Sequence, residues 1–198
     1  MGIYLRWFSL VSVLILTVTL LRTPGLADDK ARDRSTLKGI QTVVVIVHAA
    51  APEWQAELAK VGMSESALQS AIENQLQKAG IQVTPVEASS RSEFEGILNV
   101  RLSFADPEPV KKQFPALDQK EDLIEKVDLK KPYVYAVRLN LRQLVSLRRD
   151  PSAEAFSITW QTESVGIRRL TLIQERIKSL VEVFIEAYTS ENPNLINR

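Results

Sequence analysis

Residues 133–161 read YVYAVRLNLRQLVSLRRDPSAEAFSITWQ, and this stretch decides the fold. Apolar and polar residues alternate along its first half, which is the pattern of a β-strand with one buried face. The letters RRDPS at 148–152 are typical of a turn, and alternation resumes with Phe156, Ile158 and Trp160 directed to the core. The stretch therefore predicts an antiparallel hairpin with one solvated side, which argues against a doubly wound parallel sheet.

Three more strands are predicted upstream of this hairpin. The run TVVVIV at 42–47 is apolar on both faces, which indicates a central strand covered on both sides. The run IQVTPV at 81–86 contains Pro85, which cannot donate a backbone hydrogen bond, so we place this strand at a sheet edge. Residues 96–104 alternate like the hairpin strands and predict a third strand with one polar face.

Two helices complete the predicted fold. Ser64 suits the N-cap of the first, whose apolar residues recur every four positions, and Gly80 suits its C-terminal end. The second helix spans about 171–190 and carries one apolar stripe. The stripe consists of Ile173, Ile177, Leu180, Val181, Phe184 and Tyr188. We therefore predict an α+β two-layer sandwich in the order β-α-β-β-β-β-α, with a mixed sheet, an antiparallel meander and two helices on one face.

The composition excludes several classes of function. The chain has 198 residues, no Cys and one His, which excludes disulfide frameworks, thiolate zinc sites, Cys nucleophiles and multi-His metal sites within one chain. Lys and Arg number 25 against 24 Asp and Glu, so no bulk positive field favours nucleic acid. We expect no cofactor, no metal and no nucleic-acid partner.

The N-terminal residues 1–27 read as a signal peptide. Arg6 supplies a positive start, residues 7–21 carry no charge, and Gly25-Leu26-Ala27 is a small-x-small cleavage pattern. Cleavage there predicts export to the periplasm or cell envelope. The alternative is an uncleaved anchor, in which case the protein would contact the membrane through this segment.

The remaining chain is predicted to form one domain. Residues 28–38 are almost entirely polar and predict a solvated leader, followed by a single α+β domain over 39–194. A proline-containing, charged insertion at 105–131 separates two strands and is long for a compact domain. It is interpreted either as a charged hairpin extension or as a partner-docking flap.

Candidate catalytic residues are few. His48 is the single imidazole, and no nucleophile elbow, phosphate loop, dinucleotide turn or zinc helix motif is present. A loose acidic series consists of Glu87, Glu93, Glu95, Asp106 and Glu108. We expect no enzymatic activity; the alternatives are a hydrolase that uses His48 or the acidic series, and a small-ligand carrier in which Trp54, Trp160 and tyrosines line a pocket.

The outer face of the predicted sheet carries the most informative group of polar residues. Alternation places on it Asn99, Arg101, Arg138, Asn140, Arg142, Ser157, Thr159 and Gln161. Arginine supplies planar donors suited to carboxylate, phosphate or sulfate. We therefore predict that Arg101, Arg138, Asn140 and Arg142 bind a protein or another component of the cell envelope; the alternative is a polar face that contacts only water.

The blocks YVYAVRLNLRQLVSLRRD, ITWQTESVGI and VEVFIEAYTSENP resemble an uncharacterised family of small exported bacterial proteins. The order of elements also resembles the lipopolysaccharide-assembly lipoprotein and the N-terminal domain of the Tol-system propeller protein. These motifs are structural, so the resemblance implies an envelope protein and brings no catalytic residue. The chain lacks the lipidated Cys of the assembly lipoproteins. Together these features predict a non-catalytic binding or assembly-accessory protein with a macromolecular partner.

Overall fold

The computed structural model describes residues 31–48, 50–89, 95–106 and 133–195. Within these ranges the elements are α1 (Ala31–Arg34), β1 (Thr42–His48), α2 (Pro52–Lys60), α3 (Glu65–Lys78), β2 (Gln82–Val83), β3 (Glu95–Ala105), β4 (Tyr133–Leu147), β5 (Asp150–Arg168) and α4 (Leu170–Glu191), with 3-10 turns at Ser35–Leu37 and Val86–Ala88. None of the helices in these ranges combines the length and hydropathy that crossing a membrane requires.

The five strands form one mixed sheet in the order β2-β1-β3-β4-β5. β1 is parallel to both of its neighbours, whereas β3, β4 and β5 form an antiparallel meander. This confirms the predicted α+β class, the central position of the apolar run at 42–47 and the edge position of the strand before Pro85. The edge strand is only two residues long, because Pro85 and the following 3-10 turn end the pairing.

Both predicted ends of α3 are confirmed by its hydrogen bonds. The Ser64 hydroxyl accepts from the backbone N–H of Ala67 at 3.3 Å, which satisfies one free donor of the first turn. Gly80 has a φ of 79° and its N–H donates to the carbonyl of Gln77 at 2.9 Å. The N–H of Ile81 donates to the carbonyl of Leu76 at 3.0 Å, which completes a Schellman motif.

The helices α2, α3 and α4 pack on one face of the sheet. Their buried apolar side chains form a single cluster with those of alternating residues from β1, β3, β4 and β5. The predicted stripe of α4 is confirmed, since Ile173, Ile177, Leu180, Val181, Phe184 and Tyr188 are all buried.

α2 corrects the predicted order, which named only two helices. Its nine residues begin with Pro52, whose fixed φ suits a first helical turn, and bury Leu58. A helix that places one leucine in the core shows too little periodicity to be recognised as more than a connection.

The segment predicted as a solvated leader is partly packed on the fold. Within residues 28–38, α1 is helical and Leu37 is fully buried in the core cluster. The Thr36 hydroxyl donates to the carbonyl of Thr159 at 3.1 Å, so this segment contacts β5. Two apolar residues, Ala31 and Leu37, among nine polar ones gave no periodic signal. The predicted signal peptide at 1–27 and residues 107–131 of the predicted insertion lie outside the described residues.

A bulge in β5 places the side chains before it on the opposite face of the sheet from the one predicted. Leu141 pairs with Trp160 but Arg142 pairs with Ile158, so Thr159 is an extra residue between two pairs. As a result Trp160 is 1% exposed in the core, whereas Ile158 is 51% exposed on the opposite face. The expectation that Phe156 and Ile158 face the core together with Trp160 was therefore wrong, because strict alternation does not continue across a bulge.

Candidate functional site

The sheet surface opposite the helices is the open face, formed by the outward residues of β3, β4 and β5. The structure places all four predicted binding residues on it: Arg101, Arg138, Asn140 and Arg142. Their neighbours along the strands point into the core, as period-two alternation requires. The surface does not extend across β1, since Val44 on the same side is buried and the 3-10 turn Val86–Ala88 packs against that strand.

Two arginines of the open face lie directly opposite each other. Arg101 of β3 pairs with Arg138 of β4, and Arg138 pairs in turn with Glu163 of β5. The Arg138 Nη2 atom is 2.9 Å from Glu163 Oε2, and its Nε donates to the same oxygen at 3.0 Å. These side chains are 57% and 44% exposed, so the ion pair adds little stability. The ion pair does neutralise the charge of Arg138. Arg101 forms no ion pair within the described residues.

Arg142 is held against an aromatic ring. Its guanidinium carbon lies 5.9 Å from the centroid of the Phe156 ring, which is within reach of a cation–π contact. Ile158 is its direct partner across the strands. The guanidinium therefore retains its hydrogen-bonding capacity while its stem and flat face are supported by apolar groups.

Asn99 does not belong to the accessible part of this face, contrary to the prediction. It is 7% exposed, and its Nδ2 donates to the carbonyl of Ile97 at 3.2 Å. Its Oδ1 lies 3.0 Å from Nε2 of His48, which acts as the donor when Nε2 carries the proton. Within the described part of the chain, the side-chain partner of His48 is therefore an amide.

The bulge exchanges polar for apolar residues on the open face. Ser157 and Thr159 were predicted to lie there, but Ser157 pairs with the buried Gln143, and the Thr159 hydroxyl donates to Gln143 Oε1. Phe156 and Ile158 occupy this end of the face instead. At the other end Val165 is 67% exposed, beside Ile167. Sequence reasoning missed these last two because it ended the strand at Gln161, although the alternation of TESVGIR at 162–168 continues it.

The two described members of the acidic series at the ends of β3, Glu95 and Asp106, do not form a carboxylate pair. Glu95 begins this strand and Asp106 follows its last residue, which places them roughly 35 Å apart at the rise of an extended strand. Paired carboxylates that hydrolyse glycosides lie within about 10 Å. Glu95 is buried and accepts a hydrogen bond from the Ser89 hydroxyl, while Glu87 lies in the 3-10 turn. Glu93 and Glu108 lie outside the described residues.

An aromatic cluster connects α2 to the ends of β3 and β4. The Trp54 ring lies 6.1 Å from that of Phe104 and 5.7 Å from that of Tyr133, measured between centroids. The Tyr133 hydroxyl donates to Glu57 Oε2. Trp160 lies inside the core beside Phe184, so among the described residues the two tryptophans do not line a common ligand pocket, contrary to that alternative.

Burial raises the pKa of Tyr133 from 10.0 to about 12, and the hydrogen bond to Glu57 and the negative charge of Glu57 add to this effect. Because the folded pKa exceeds the unfolded one, the stabilisation is complete below pH 10 and is lost as the pH rises to 12. We expect urea unfolding to show a decline of up to about 3 kcal/mol over this interval. Tyr133→Phe should make the decline shallower; an unchanged slope would contradict the raised pKa of Tyr133.

Comparisons with known proteins leave the family open. No protein-family model and no curated protein matches the chain. Among solved structures, a PelC dodecamer from Paraburkholderia phytofirmans is similar with a TM-score of 0.40 and 14% identity over 82% of this chain and 94% of that one. A hemagglutinin homolog from Helicobacter pylori is similar with a TM-score of 0.32 and 10% identity over 81% and 90%. At these identities and TM-scores neither likeness assigns a family or a function.

Proposed function

We propose that this protein is a non-catalytic binding protein of the periplasm or cell envelope that contacts a macromolecular partner through the open face. Export is supported by the signal-peptide pattern at 1–27 and by the resemblance to small exported bacterial proteins. A protein partner or another envelope component suits a surface with planar hydrogen-bond donors and apolar side chains. The proposal requires no cofactor and no nucleic acid.

The observation that carries this proposal is the excess of arginine over carboxylate on the open face. Arg101 and Arg138 lie opposite each other, and like charges in this position destabilise a sheet. Glu163 neutralises Arg138, which leaves the positive charge of Arg101 beside this ion pair. A carboxylate or another anionic group from a partner would relieve this repulsion.

The apolar side chains beside the arginines support the same proposal. Ile158, Val165 and Ile167 are among the most exposed large hydrophobic residues of the described chain, and all three lie on β5. Ile158 lies beside Arg142 and Phe156, whereas Val165 and Ile167 lie together at the other end of the face. Exposed apolar side chains next to arginine and aromatic residues are typical of interface cores. The surface of the partner that would complement the open face therefore carries acidic and apolar side chains.

The test is to capture partners from an envelope extract with residues 28–198 and then to titrate the purified partner against variants. We expect Arg101→Ala combined with Arg142→Ala to weaken binding about tenfold or more, which corresponds to about 1.4 kcal/mol or more. The melting temperature should hardly change, because both side chains are exposed.

A matched control removes the same charge elsewhere on the hairpin. Arg148 and Arg149 are exposed at the turn between β4 and β5, and their double replacement by alanine should leave binding intact. If the turn variant loses affinity equally, the partner responds only to net charge. If both variants bind like the unmodified protein, the open face does not form the interface.

A further inference from the structure

A cavity of about 500 Å³ opens at the carboxyl end of β1, where the chain leaves the sheet towards α2 and α3. Its apolar lining comes from four elements and one loop: Val47 of β1, Leu102 of β3, Leu58 of α2, Leu68 of α3 and Met63 between the helices. Each of these residues belongs to the core cluster, so the cavity is an extension of the core that reaches the surface. Its volume lies within the range of about 300–1,000 Å³ that small-molecule sites occupy.

The topology accounts for this position. β1 has β2 on one side and β3 on the other, and the α2–α3 connection crosses towards β2. Because β1 and β3 are parallel, their carboxyl ends lie at the same edge of the sheet, where Val47 and Leu102 line the cavity together with residues of α2 and α3. The cavity lies mainly on the helical side of the sheet. His48 at the end of β1 also belongs to its lining, and this residue pairs with Arg101 of β3.

The polar rim of the cavity has little capacity left to bind an anion. The Ser64 hydroxyl already caps the first turn of α3, and Gln55 donates to the carbonyl of Ala50 at 3.0 Å. Glu65 places a carboxylate in the same helical turn, where it offsets the positive end of the helix dipole. Gln69 on the rim donates to Glu73 at 2.9 Å, which brings a second carboxylate close to the opening. Among the described residues no lysine or arginine lines the cavity, and Nε2 of the one imidazole in the lining, His48, lies 3.0 Å from Asn99 Oδ1.

We infer that this cavity binds a small amphiphile with an apolar body and a single positively charged head. The apolar body leaves water for the apolar lining of the cavity, which is the favourable term. The head lies at the rim near Glu65, where a positive charge is attracted and a negative one is repelled. This binding is independent of the macromolecular interaction proposed for the open face.

Three probes with the same eight-carbon tail separate the contribution of the head group. We expect calorimetric titration to show saturable binding of octyltrimethylammonium, weaker binding of octyl glucoside and the weakest binding of octanoate. Glu65→Gln should reduce the preference for the cation over octanoate by roughly two- to fivefold, the range expected for an exposed charge. Glu182→Gln, an exposed carboxylate on α4, should leave the preference unchanged.

A pair of substitutions on α2 tests the location. Ala59 lines the cavity whereas Ala56 does not, and both side chains are exposed. Ala59→Trp should therefore weaken octyltrimethylammonium binding about tenfold or more, while Ala56→Trp leaves it unchanged. In the unmodified protein, the methyl resonances of Met63 and Leu102 should shift on titration. No saturable binding, no methyl shift, equal effects of the two tryptophans or a preference for octanoate would each overturn the inference.

Discussion

Replacing Trp160 by alanine is expected to lower the free energy of unfolding by about 3 to 5 kcal/mol. Trp160 is 1% exposed, and its ring meets that of Phe184 edge to face at 5.2 Å between centroids. Phe184 in turn lies 6.1 Å from the ring of Tyr188, so the indole joins β5 to the middle of α4. Its removal leaves a cavity beside two aromatic rings that cannot collapse without moving the helix.

Urea unfolding measures this change, and Ile158→Ala is its matched control. Ile158 lies two residues away but is 51% exposed on the open face, so its truncation should cost less than about 1 kcal/mol. A strand without the bulge at Thr159 would place both side chains in the core and make both substitutions costly. Equal losses would therefore contradict the pairing of Arg142 with Ile158.

Asn192→Ala is expected to lower the free energy of unfolding by about 2 to 4 kcal/mol, because it leaves buried polar groups without partners. Asn192 is 5% exposed and follows the last residue of α4. Its Nδ2 donates to the carbonyl of Leu37 at 2.8 Å and to that of Tyr188 at 3.0 Å, and its Oδ1 accepts from the N–H of Gly39 at 2.8 Å. One amide thus joins the N-terminal segment to the last helix.

The neighbouring Asn194 provides the comparison, since it is exposed and carries the same side chain. Asn194→Ala should change the midpoint of urea unfolding very little. Hydrogen exchange gives a second measurement: Asn192→Ala should accelerate exchange at the amide of Gly39, which loses its acceptor. A stable Asn192→Ala protein with unchanged exchange at this amide would show that the Asn192 side chain does not hold the N-terminal segment.

The secondary structure was predictable where a periodic pattern was long enough to be read. The heptad-like stripe of α4 and the fifteen alternating residues of β4 were both located to within one residue. Pro85 alone placed the strand before it at the edge of the sheet, because a missing donor cannot be tolerated in a central strand. α2 escaped prediction because a short helix with one buried leucine has almost no period.

The candidate surface was predictable only in part. Arg101, Arg138 and Arg142 lie on β3 and β4, where strict alternation holds, and all three are exposed on the open face. The residues of β5 beside them were assigned wrongly, since the extra residue at Thr159 changes which side chains face the core. The local sequence around Thr159 does not indicate a bulge, because the position of the bulge depends on the pairing with β4 and on the packing of Trp160.

By itself the sequence determined the α+β class, the ends of α3 and the outward direction of the three arginines. These depend on local rules: side chains alternate along a strand, Ser64 caps the helix, and Gly80 adopts a positive φ at its end. Only the tertiary structure decided that Arg101 faces Arg138, that Leu37 is buried, and that a cavity opens beyond β1. Each of these is a relation between residues distant in the chain, which depends on strand order, register and packing rather than on local sequence.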